Sequence, residues 1–173
     1  MSLLVLLMAT TLLDFDDAAE AASWYAVDDV VMGGVSRSGF DLPEPGTARF
    51  SGRVSLDNGG GFASVRTPPR AWDTAGARAF VLRVRGDGRT YKLTLRTGDG
   101  FDGVQYQARF VPPAGEWTDV RLPVASFLPT FRGRTLTGVP PLDPAEVRAF
   151  GLMVSDGQAG PFELLIDRIA VER

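Results

Sequence analysis

The sequence predicts an all-β domain, an antiparallel β-sandwich with a jelly roll preferred over a closed barrel. Three observations carry that expectation. Apolar and polar residues alternate with a period of two in segment after segment, the spacing of strands with one face in a core and one in water. Glycine and proline, 20 and 12 of the 173 residues, supply the turn chemistry that many short strands need. Helical periodicity is scarce, and roughly nine or ten short strands with so little helix argue for a double-layered sheet.

At the N-terminus, Leu3–Leu13 has the hydrophobicity of a signal-peptide core. Yet no Lys or Arg precedes Arg37, and export signals start basic. The run is too short to span a bilayer, so no membrane span is expected. Residues 1–11 read as an apolar lead-in and residues 12–173 as one domain, undivided by linker or repeat. The cytoplasm is the expected location; export is the alternative if Leu3–Leu13 acts as a signal core. Leu13 and Phe15 alternate with Asp14 and Asp16 as in a half-buried first strand. Asp16–Ser23 (DDAAEAAS) suits two helical turns.

Ala48–Leu56 (ARFSGRVSL) places Ala48, Phe50, Gly52, Val54 and Leu56 on one face and Arg49, Ser51, Arg53 and Ser55 on the other. Gly61–Thr67 follows as a strand after a glycine-rich turn. Ala79–Arg85 and Thr90–Thr97 alternate too, and Asp87-Gly88 between them is a strong hairpin signal. Val104, Tyr106, Ala108 and Phe110 share the face of a further strand, and "PPAGE" turns the chain into WTDVRLP. In LDPAEV, Asp143 as N-cap, Pro144 at N1 and Glu146 at N3 predict about one helical turn. FGLMVS and FELLIDRIAVE close the chain as buried strands. Phe50, Phe62, Phe80, Phe110 and Phe162 are the expected aromatic core.

The chain contains neither cysteine nor histidine. That excludes disulfides, thiolate nucleophiles, imidazole bases and the common zinc sites. The net charge is −3 and the cations are dispersed, so nucleic acid is not an expected partner. No catalytic motif is evident, and the protein is not expected to be an enzyme.

Asp28–Phe40 (DDVVMGGVSRSGF) stands out. Gly33-Gly34 allows positive φ and close backbone approach. Asp28 and Asp29 can order a turn through backbone amides or line a surface groove. Met32 either caps the core or offers a soft contact surface. NGGGF (Asn58–Phe62) offers a run of amides that could hold an anion. It opens no helix and no Lys follows it, so a strand-connecting turn is expected. DGFDG (Asp99–Gly103) lacks the full calcium-loop ligand set, which leaves a structural calcium open there while no other cofactor is expected. Arg66, Arg89 and Arg132 are either surface ion-pairing residues or bidentate binders of carboxylate or phosphate.

WYAVDDVVMGGVSRSGF, FSGRVSLDNGGGFASVRT, RVRGDGRTYKLTLRT, YQARF, Trp117, LPVASFLPTFRGR and LDPAEVRAFGLMVSDGQAGPFELLIDRI resemble the complex I intermediate-associated protein 30 family. The resemblance runs from about residue 12 to residue 171. It implies a galactose-binding-like jelly roll, the sandwich that many carbohydrate-binding modules use. Mitochondrial members of the family are assembly chaperones for respiratory complex I, and single-domain bacterial members have no assigned role. No defined reaction and no catalytic residues come with the resemblance.

Three functions are therefore expected in order. The first is a non-enzymatic, chaperone-like interaction module whose loops contact a protein partner. The second is a carbohydrate-binding module, with loop tryptophans such as Trp72 stacking on sugar rings. The third is a glycoside hydrolase with a carboxylate pair among Asp28, Asp29, Asp87 and Asp156, separated by about 5–5.5 or 6.5–9.5 Å. The expected binding surface is the Asp29–Ser36 loop, with Met32, Gly33, Gly34 and Ser36, meeting Ser64, Arg66 and the Ser155–Gly160 segment with Asp156.

Overall fold

The computed structural model describes residues 8–173. Most of the expected apolar lead-in, residues 1–7, lies outside the described residues. In chain order the strands are β1 (Ala9–Leu13), β2 (Tyr25–Ala26), β3 (Arg37–Glu44), β4 (Thr47–Val54), β5 (Ala63–Arg66), β6 (Ala79–Arg85), β7 (Tyr91–Arg96), β8 (Gln105–Phe110), β9 (Trp117–Pro123), β10 (Leu128–Phe131), β11 (Arg134–Thr135), β12 (Ala149–Val154) and β13 (Gly160–Glu172). A short helix, α1 (Ala18–Ser23), follows β1.

Two sheets stack face to face. The first runs β3-β4-β13-β6-β9, with β1 pairing on β13 as well. The second runs β11-β10-β8-β7-β12-β5-β2. All these strand pairs are antiparallel, the double layer that the alternation predicts. The long β13 serves two neighbours on one side. Its first half pairs with β4, and its last residues pair with β1 beyond a bulge between Ile166 and Arg168.

The core lies between the sheets and is built from the inward half of each alternating strand. Ala48 and Phe50 of β4 are fully buried, as are Leu93 and Leu95 of β7. Aromatic rings lock one sheet to the other: Phe80 on β6 meets Phe150 on β12 edge-on at 5.8 Å, and Phe50 on β4 meets Tyr91 on β7 at 6.3 Å. Such pairs contribute about 0.5–1.5 kcal/mol each beyond their burial. Asp143 caps the single turn Pro144–Glu146 as the sequence predicts, its carboxylate accepting from the Ala145 N–H, and Asp17 does the same for the Ala19 N–H at the start of α1.

Three local expectations are corrected. Asp87-Gly88 reverses the chain, with Gly88 at φ +83°, but it does not close a hairpin. β6 lies in the first sheet and β7 in the second, so this turn is the crossover between layers. Its Asp87 carboxylate accepts from the Tyr91 hydroxyl and the Glu163 N–H, tying the crossover to both sheets. Leu56 lies beyond the end of β4 and is 50% exposed rather than in the core. Phe62 precedes β5 and is only half-buried. In addition, β3 and β10 are strands that alternation did not reveal. β3 is an edge strand with mostly solvated residues, Gly39 and Pro43, a composition that blunts edges but hides strands from pattern reading.

Candidate functional site

β7 is buried on both faces. Tyr91, Leu93 and Leu95 point into the core, while Lys92, Thr94 and Arg96 alternate to the outer face of the second sheet. Those three polar residues are still only 8%, 6% and 8% exposed, so something covers them. They form part of the floor of a groove of about 650 Å³. Its rim comes from loops: Val31–Met32, Phe101–Gly103, Arg132–Gly133 and Ser155–Asp156.

Strand register sets the floor in rows. Ser64 on β5 lies opposite Met153 on β12, which lies opposite Lys92 on β7. In the next row Arg66 faces Gly151, Gly151 faces Thr94, and Thr94 faces Gln107 on β8. A third row joins Arg96, Gln105 and Thr130 of β10. Gly151 makes the hollow, because a Cβ there would overlap the Thr94 hydroxyl and lie 2.9 Å from the Val65 carbonyl oxygen.

Four cationic side chains, Arg66, Lys92, Arg96 and Arg132, border the groove against two carboxylates, Asp102 and Asp156. Each carboxylate is paired. Asp102 takes Arg132 at 2.6 Å, and that hydrogen bond holds its carboxyl below the usual aspartate value despite a small opposing cost of desolvation. Asp156 takes Lys92 at 3.2 Å and Arg109 at 3.1 Å. Lys92 also donates to the Ser155 hydroxyl at 2.8 Å, which fixes the loop after β12 over the groove.

Arg66 and Arg96 differ from the other two cations: among the described residues neither has a carboxylate within ion-pair distance. Arg66 donates to the Phe101 carbonyl at 3.0 Å, and Arg96 to the Gly100 carbonyl at 3.3 Å. The Phe101 ring covers the Arg66 guanidinium at 4.8 Å. Burial lowers the pKa of both, and the positive charge of Arg66 lowers Arg96 further.

The structure separates the expected site residues into two groups. Met32, Ser64, Arg66, Arg132, Ser155 and Asp156 come together around the groove. Asp28, Asp29, Gly34 and Ser36 stand behind it as its frame, while Gly33 is exposed at the end of the turn that carries Met32. Asp29 is fully buried and accepts from the Ser36 hydroxyl and from the N–H groups of Ser36, Gly61 and Phe62. Burial opposes its ionisation, but these four donors outweigh that cost and lower its pKa. The NGGGF amides do hold an anion, and it is the protein's own carboxylate. Asp28 accepts from the Ser38 N–H and hydroxyl and from the Ser64 N–H, joining the loop to β3 and β5. Neither acid lines the groove, which corrects the surface-groove alternative for them. Arg89 also lies elsewhere. It donates to the carbonyls of Gln158 and Ala159 and so braces the Ser155–Gly160 loop from below.

In DGFDG, Asp99 pairs with Arg148 and Asp102 with Arg132. No cluster of three metal-ligating side chains occurs among the described residues. Trp72 packs edge-on against Phe150 at 4.8 Å, carries the Arg70 guanidinium on its face at 3.9 Å and donates its ring N–H to the Arg148 carbonyl. Trp24 is buried and stacked on Phe40 at 4.3 Å. Sequence reasoning missed Lys92, Thr94, Arg96, Gln105 and Gln107. The alternation in TYKLTLRT and VQYQARF did assign them to the outer face, but a local pattern cannot say that loops rim that face into a groove.

Fold and groove together define a galactose-binding-like jelly roll that carries an open, cation-rich cleft on one sheet. The model of the complex I intermediate-associated protein 30 family matches residues 13–166, and the chain belongs to that family. A relative from Drosophila melanogaster, "Complex I intermediate-associated protein 30, mitochondrial", is 26% identical over 181 residues, covering 92% of this chain and 61% of its own length. The protein of the same name from Neurospora crassa is 30% identical over 145 residues, covering 73% of this chain and 52% of its own length. The chain thus spans little more than half the length of these relatives. Among solved structures, the family 11 carbohydrate-binding module of a cellulosomal cellulase from Clostridium thermocellum superposes with a TM-score of 0.65 at 15% identity, covering 96% of this chain and 95% of the module. The same organism's family 11 module in complex with a β-1,3-1,4-mixed-linked tetrasaccharide gives a TM-score of 0.63 at 16% identity, covering 95% of each chain. These similarities show the fold. No helix among the described residues is long and apolar enough to cross a membrane.

Proposed function

We propose that this chain is a non-enzymatic binding module that receives an extended segment of a protein partner in the groove on its second sheet, as an assembly or chaperone-like factor. One observation carries the reading: the polar outer residues of β7 are withdrawn from solvent on the floor of a groove whose rim loops have apolar, exposed tips. Val31, Met32 and Phe101 are 63%, 65% and 62% exposed beside the groove, a surface suited to side chains of a partner. Family membership supports a protein partner, since the named relatives are complex I intermediate-associated proteins. The cytoplasm is the proposed place of action.

The same geometry speaks against catalysis. Asp28, Asp29 and Asp87 spend their oxygens on backbone and hydroxyl donors inside the fold, and Asp156 is held by two cations. None stands as a free acid or base across a cleft.

The second reading is a carbohydrate-binding module. It is favoured by the full-length likeness to such modules and by the amide and hydroxyl groups of Gln105, Gln107, Thr94 and Thr130 on the floor. A photo-crosslinking residue at Met32, introduced in the native cell, tests the first reading. A discrete protein adduct that disappears when Met153→Trp fills the groove is the expected result. Adducts spread over unrelated abundant proteins, together with calorimetric binding of a β-1,3-1,4-glucan oligosaccharide, would transfer the function to the second reading.

A further inference from the structure

We propose that the Arg66–Arg96 end of the groove is a carboxylate-binding site, which takes an acidic side chain or chain terminus of the extended protein segment; the inference rests on the protein-segment reading above. The two arginines come from β5 and β7, separated by β12. They become neighbours because the β12 residues between them on that face are Ala149, opposite Arg96, and Gly151, opposite Arg66. No larger side chain stands between the two guanidinium groups there.

Two like charges gathered in a partly buried site repel each other and lose hydration. Proteins balance such a pair with a carboxylate, and Arg132, Lys92 and Arg148 in the same region all have one. Among the described residues Arg66 and Arg96 have as acceptors only the carbonyls of Phe101 and Gly100. A guanidinium has five N–H donors, and those contacts use one on each. The remaining donors form a fork-shaped array that matches a planar carboxylate.

The charge of the groove favours an anion, because four cations against two carboxylates leave a surplus of positive charge that a bound carboxylate reduces. A phosphate dianion would sit close to Asp102, whose charge already acts on Arg66 and Arg96. The exposed Phe101 and Met32, which both line the groove, suit apolar residues flanking the acid.

The test uses the whole chain. Side-chain Nε–Hε resonances of the arginines are followed by NMR during titration with sodium acetate, with sodium chloride at matched ionic strength, and with inorganic phosphate. Saturable shifts confined to Arg66 and Arg96 are expected with acetate. Binding should be about tenfold weaker in Arg66→Gln, and weaker also in Arg66→Lys, which keeps the charge and loses the fork. A response to acetate no larger than that to chloride overturns the proposal, as does phosphate binding about tenfold tighter than acetate. An array of extended peptides, each with a Glu and its Gln counterpart, separates the two claims. Peptides bound only in the Glu form support the site. Peptides bound equally in both forms overturn it while leaving the protein-segment reading intact. Acetate saturation with no peptide bound supports the carboxylate site and removes the protein-segment reading.

Discussion

The Ser36 hydroxyl donates to one oxygen of the Asp29 carboxylate at 2.5 Å, while the Ser36 N–H donates to the other at 2.9 Å. Ser36 in turn accepts from the Ser55 N–H, so the pair joins the glycine loop to the chain leaving β4. Gly61 and Phe62 bring further N–H groups to the same carboxylate from the approach to β5. One buried charge therefore organises three separate backbone segments behind the groove.

Asp29→Asn is expected to lower stability by about 3 kcal/mol, because the amide turns one acceptor into a donor that faces other donors in a buried site. Urea denaturation of the two proteins measures this. An unchanged midpoint would show that the carboxylate does not organise the loop.

The pH dependence follows from the same group. The folded state holds the Asp29 pKa below its ordinary value, so the unfolded chain binds the proton more readily. Its contribution to stability is present above the unfolded pKa of about 3.9 and is lost as pH falls toward the folded-state value. Unfolding free energy measured from about pH 6 downward should fall more steeply in the wild type than in Asp29→Asn. Parallel curves would contradict the assignment.

Gly33 and Gly34 should respond differently to alanine. Gly33 sits at φ +88° in open space, so Gly33→Ala is expected to cost about 1–2 kcal/mol through backbone strain alone. Gly34 does not have a positive φ. A Cβ on it would run into the Asp29 carboxylate, so Gly34→Ala should cost more, about 3 kcal/mol, by displacing that group. Thermal unfolding decides the order; equal losses would sink the distinction.

Arg89 makes a local prediction. Replacing it by Leu removes the bonds to the Gln158 and Ala159 carbonyls at 2.7 and 3.1 Å. Amide hydrogen exchange in Gly157–Gly160 should then speed up by about tenfold while the core strands stay protected. Uniform acceleration across β12 and β13 would mean that Arg89 supports the whole sheet instead.

Much of the fold was legible in the residues. Val104, Tyr106, Ala108 and Phe110 announced β8, and Asp143-Pro144 announced its helical turn. The errors have a common cause. Asp87-Gly88 encodes a reversal of direction, but no local chemistry states whether the strands on either side join the same sheet. Half the expected binding residues came together at the groove, but Asp28 and Asp29 turned inward, because an aspartate beside glycines is spelled alike whether its donors come from its own backbone or from a ligand.

Taken alone, the amino-acid order determined where most of the strands lie and that they form two layers, since side-chain alternation is a property of each short segment. Only the tertiary structure decided that Lys92, Thr94 and Arg96 lie on the buried floor of a groove and that Arg66 meets Arg96. Those relationships depend on registers such as Gly151 with Arg66 and Ala149 with Arg96, set between residues far apart in the chain. The packing of two whole sheets selects such pairings, and no local pattern contains them.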